Sequence, residues 1–138
     1  MRRFILTVLV VLAAGAVGAP VALAGSPHFV GAPTATRTDN TLTVSGKEAG
    51  LGDEEQVNIV LTATAECING GGKHPKAVNK ESLSAEKNEP VQNGKANFSL
   101  SVTASFSPSC SPPMTVVFSN VKVEDTTNGI SASFSGTF

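Results

Sequence analysis

Val57-Asn58-Ile59-Val60-Leu61-Thr62-Ala63-Thr64-Ala65-Glu66-Cys67 is the stretch that decides the fold. Apolar side chains hold the odd positions, from Val57 through Ile59, Leu61, Ala63 and Ala65 to Cys67. Polar Asn58, Thr62, Thr64 and Glu66 hold the even ones, interrupted only by Val60. Successive side chains of a β-strand point to opposite faces, so a period of two describes a strand with one face in a core. Phe98, Leu100, Val102, Ala104 and Phe106 repeat the alternation against Asn97, Ser99, Ser101, Thr103 and Ser105. Val117, Val121 and Val123 continue it, and Ile130, Ala132, Phe134, Gly136 and Phe138 close the chain in the same way. Shorter traces lie at Leu42 and Val44, near Ala35 and around Leu83.

No stretch keeps apolar residues at helical spacing for three turns, while Val and Thr are abundant and turn-forming residues separate the alternating runs. The turn signals are Asp39-Asn40, Gly50-Leu51-Gly52-Asp53, Asn88 to Gly94, Pro108 to Pro113 and Asn128-Gly129. The sequence therefore predicts an all-β fold, a single immunoglobulin-like antiparallel β-sandwich of about seven strands, with a small β-barrel as the alternative.

Ahead of this domain, Arg2 and Arg3 precede an apolar run from Phe4 to Val17, and Ala22-Leu23-Ala24 has the small-x-small form of a cleavage site. Residues 1–24 read as a secretory signal peptide and residues 25–138 as one domain, freely secreted. The apolar run is too short for a hydrocarbon core of ~30 Å. Without Arg2 and Arg3, eight of the ten basic residues face eleven acidic ones, a net charge near −3. That balance speaks against nucleic acid or an anionic membrane as partner. All seven aromatics are Phe, with no Trp or Tyr, so the amphipathic rings of sugar platforms and recognition hot spots are missing. Cys67 and Cys110 are the only cysteines, and in an exported chain they are expected to form a disulfide that pins a loop end.

One segment reads as neither a strand nor a routine turn. Asn69, Gly70, Gly71, Gly72, Lys73, His74, Lys76 and Lys80 combine a flexible glycine run with local positive charge on an acidic protein. Long loops on rigid scaffolds often bind, so these residues are the candidate binding site. A phosphate loop would need Ser or Thr after the lysine and then a helix, whereas His74 and Pro75 follow Lys73. His28 and His74 are the only histidines, and neither a GxSxG elbow nor an HExxH pair is present. No catalytic residue, metal ligand or cofactor is assigned. Consecutive Asp53, Glu54 and Glu55 read as a hydrated loop rather than a calcium site. Asn97-Phe98-Ser99 is a formal glycosylation sequon inside an expected strand.

The order Glu-Cys-x-Asn-Gly-Gly-Gly-Lys-x-Pro-Lys-Ala-x-Asn-Lys from Glu66 to Lys80 resembles that of small secreted proteins of actinomycetes and related bacteria. Ser26 to Phe29, Lys47 to Leu51, Asp125 to Gly129 and Gly136 to Phe138 extend the likeness over nearly all of residues 25–138. The resemblance implies a bacterial source and export, but no chemistry. A looser similarity of size and patterning is to the neocarzinostatin type of apo-chromoprotein. The expected function is a secreted, non-catalytic binding module using loop 69–80, with a cell-envelope polymer or another secreted protein as partner. The alternative is a carrier of a small apolar ligand between Phe98, Phe106, Phe118 and Phe134, and a hydrolase ranks third.

Overall fold

The computed structural model describes residues 25–69 and 79–138. Its strands are β1 (His28–Phe29), β2 (Thr34–Thr38), β3 (Thr41–Ala49), β4 (Gln56–Ile68), β5 (Lys80–Pro90), β6 (Ala96–Thr103), β7 (Thr115–Asp125) and β8 (Ile130–Ser133). They form two antiparallel sheets packed face to face, a β-sandwich. In the first, β3 pairs with β6 along one edge and with β2 and then β1 along the other. The second runs β5-β4-β7-β8. Among the described residues no helix is long and apolar enough to cross a membrane.

The alternation of β4 is satisfied along its whole length: Val57, Ile59, Leu61, Ala63, Ala65 and Cys67 are all buried. They meet Leu42 and Val44 of β3 and Ala96, Phe98, Leu100 and Val102 of β6 in one core. The outer face of the first sheet is instead a ladder of hydroxyls. Thr41 Oγ1 lies 2.9 Å from Thr103 Oγ1, and Thr43 Oγ1 lies 2.7 Å from Ser101 Oγ. Chain crosses between the sheets after β5 through a tight turn in which Asn93 and Gly94 have φ of 52° and 70°. Gln92 and Lys95 exchange both backbone hydrogen bonds around it, the geometry of a two-residue type I′ connection.

Strand β7 departs from the sequence expectation. Its buried positions are Val116 and Phe118, then Val121, Val123 and Asp125, so Val117 is not on the core face. Thr62 pairs with Lys122 but Thr64 with Ser119, leaving Ala63 opposite both Asn120 and Val121. This β-bulge shifts the phase by one residue. Without it, Asn120, Lys122 and Glu124 would take over the inward face. Asn120 carries φ of 50°, a left-handed conformation that Asn tolerates better than most residues. Beyond β8 the chain stays on β7: Phe134 N donates to Val121 O, and Phe118 and Phe138 exchange two backbone bonds of 3.0 Å.

Ahead of β2, the segment from Gly25 to Val30 lies as a strap along the end of β3, with Phe29 paired to Glu48 and Val30 N donating to Lys47 O. Gly50 makes this possible. Its φ is +75°, and a Cβ there would sit 2.1 Å from the Ser26 carbonyl oxygen. Gly50→Ala should therefore displace the strap and lower stability by about 2 kcal/mol or more, read as the shift of the denaturant midpoint.

Candidate functional site

Two places depart from routine sandwich construction, and they lie at opposite ends of β4. The first is the base of the sequence-predicted binding loop. Cys67 is the penultimate residue of β4, buried on its core face, and Cys110 lies in the β6–β7 connection. They form a disulfide with Cα atoms 5.8 Å apart, spanning 43 positions. Met114 Sδ packs 3.8 Å from Cys67 Sγ. The bridge thus pins the exit of β4 to the Pro108–Pro113 segment, as the sequence implied.

Register brings Lys80 opposite Glu66, and Lys80 Nζ contacts Glu66 Oε1 at 2.7 Å. Lys80 is therefore engaged at the base of the connection, although it remains about half exposed. Asn69 is exposed just beyond β4. Gly70, Gly71, Gly72, Lys73, His74 and Lys76 lie outside the described residues. His28 is on the strap, where its Nδ1 lies 2.7 Å from Ser26 O. Of the four phenylalanines expected to line a ligand cavity, Phe98 and Phe118 are buried in the core, and Phe106 and Phe134 pack against it from the periphery.

The second place is an acidic end. Asp125 closes β7 fully buried, and its carboxylate organises the following turn. Oδ1 accepts from Thr127 N at 2.8 Å and Asn128 N at 3.2 Å, while Oδ2 accepts from Asn128 Nδ2 at 2.7 Å. Asn128 Nδ2 also donates to Glu54 Oε2 at 3.0 Å, joining this turn to the β3–β4 connection. Glu89 is nearly buried on β5, with Lys87 Nζ 2.8 Å from its Oε1, a charge contact rather than an aligned hydrogen bond.

Glu48 differs from both. It is fully buried on the inner face of β3, and neither carboxylate oxygen has a hydrogen-bond partner among the described residues. Burial, with smaller contributions from the charges of Asp125 and Glu54, pushes its pKa up to about 7. Asp53 and Glu55 are exposed, so the consecutive acidic run does not converge. Among the described residues no group of three or more His, Cys, Asp or Glu side chains could hold a metal ion. Sequence reading missed Glu48 and Asp125, although the signal was present: each continues an inward alternation, after Leu42-x-Val44-x-Gly46 and Val121-x-Val123.

Comparison with known proteins adds no relative: no family model, no curated protein and no solved structure matches the chain. The two ends are thus characterised by their own geometry. Changing Cys67 and Cys110 together to Ser should lower stability by roughly 2 to 5 kcal/mol while far-UV circular dichroism retains its strand signature. Asp125→Ala should cost about 2 kcal/mol, because the turn amides and the Asn128 side chain lose their acceptor at once. Urea unfolding of each variant checks both values.

Proposed function

We propose that the chain is an exported, non-catalytic binding module of immunoglobulin-like type that engages a cell-envelope polymer or another secreted protein through the connection from Asn69 to Lys80. The observation that carries this reading is the doubly fixed base of that connection. The Cys67–Cys110 bridge holds its start and the Glu66–Lys80 ion pair its return, next to a fully paired β4–β5 ladder. A loop presented on a rigid base loses less entropy on binding than one on a mobile stem. Its sequence places Lys73 and Lys76 after three consecutive glycines, a local cationic stretch on an otherwise acidic protein. Polyanionic wall polymers fit that charge. Export agrees with the disulfide, which persists in oxidising compartments, and with the leader-like residues 1–24.

Replacing Lys73, Lys76 and Lys80 with Ser tests the assignment. Thermal stability should change little, since the ion pair lost among the described residues, Lys80 with Glu66, is half-exposed and worth at most about 1 kcal/mol. Retention on anionic cell-wall polymer should weaken and should lose its salt dependence. Unchanged retention would remove the loop from the function.

A further inference from the structure

Burying a carboxylate without a hydrogen bond or a cation is among the costliest arrangements in a protein, and a group so placed neutralises instead. Glu48 is in this position. On the inner face of the first sheet its directly paired neighbours are Phe29 of β1 and Ala96 of β6, both without a polar side-chain atom. Across the sandwich stands Asp125 of β7, and from the β3–β4 connection comes Glu54, both carboxylates. Of the other charged groups at this end, Glu89 of β5 is matched by Lys87, and His28 of β1 is turned to the Ser26 carbonyl. Lys47 and Lys95 flank Glu48 and Ala96 in sequence, Lys47 on the opposite face of β3, and neither contacts the Glu48 carboxyl. The described carboxylates do not converge on a metal site. A proton is the remaining neutralising cation.

We propose that Glu48 is a proton-operated latch: with its carboxyl protonated the acidic end stays closed, and releasing the proton to solvent loosens the β1 strap and the Asp125–Asn128 turn. The geometry specifies which parts move. An ionised Glu48 would be repelled by the carboxylates of Asp125 and Glu54, and it is flanked by a strand of only two residues, β1, and faced by the turn that Asp125 opens. The strand is held by its short pairing to β3 and by Val30 N donating to Lys47 O, and the turn by the Asp125 carboxylate together with Gly129 N to Asp125 O and Thr126 N to Asn58 O. Relief comes from admitting water there while the β4-centred core remains intact. Because the folded protein holds this proton more tightly than the unfolded chain, the associated stability is complete below about pH 4.5 and is lost as pH rises through about 7. The latch is thus closed in mildly acidic surroundings and open in alkaline ones. It operates independently of the Asn69–Lys80 connection.

Thermal melts of the purified, disulfide-intact protein and of Glu48→Gln, from about pH 5 to about pH 8, provide the test. The wild type should lose on the order of 10 °C more than the variant over that range. Amide-exchange protection at Val30 and Thr127, corrected for intrinsic rates, should fall roughly tenfold or more in the wild type, with the amides of β4 unaffected. Phe29→Ala, which uncovers the carboxyl, should move the Glu48 titration, followed by its carboxyl carbon resonance, down toward the ordinary range. Parallel melting curves for wild type and Glu48→Gln would overturn the latch. So would restoration of the wild-type melting temperature at about pH 8 by millimolar calcium, since a metal ion and not a proton would then be the neutralising group. Should Glu48→Gln fail to fold, the wild-type resonance alone decides: titration in the ordinary carboxylate range rejects the proposal.

Discussion

The one-sided burial of β4 is the constraint on which the structure depends. This strand is bonded along both edges, to β5 on one side and β7 on the other, and every second residue from Val57 to Cys67 enters the core. A one-residue slip against either neighbour would send Asn58, Thr62, Thr64 and Glu66 inward and bring Val57, Ile59 and Leu61 to the surface. The pairings therefore have little latitude. Where β7 does not keep step, the mismatch is absorbed at one bulge by Asn120, so that Phe118 and Val121 both still face the interior.

The same rigidity fixes what happens at the two ends. At one, β4 delivers Cys67 to the disulfide and Glu66 to Lys80, so the connection that follows starts from a defined position. At the other, the layers come together over side chains that a hydrophobic core would not select. Asp125 is satisfied by the turn it caps, and Glu89 has the charge of Lys87 beside it although its Oε1 accepts no aligned hydrogen bond. Glu48 alone has no such compensation among the described residues. Buried carboxyls on adjoining elements thus behave differently according to the donors within reach of each, not according to depth.

Much of the sandwich was legible in the amino-acid order, because β6 and, apart from Val60, β4 alternate throughout and polar–apolar alternation translates directly into faces. The disulfide was legible from the cysteine count and the leader-like pattern of residues 1–24. Three things were not. The bulge at Asn120 inverts the phase of β7, and a pattern read with a constant period assigns Val117 to the wrong face. Strand β1 is two residues long and too short to show any period. Glu48 and Asp125 occupy inward positions by alternation, yet charge normally marks a solvent-facing residue, and only three-dimensional packing shows which rule prevails. For the proposed binding connection, the order of residues supplied the charge and the glycines, and the structure supplied the anchored base.

Strand β5 ends its sheet with one row of backbone groups unpaired by another strand, over eleven residues. Lys80, Glu81, Glu86 and Lys87 stud this margin with both signs of charge, and Pro90 terminates it. The opposite margin, β8, is only four residues long. A foreign strand approaching β5 would have to strip water from several ionised side chains before forming its first hydrogen bond. Edge-to-edge stacking through the β5 margin of the second sheet is thereby disfavoured.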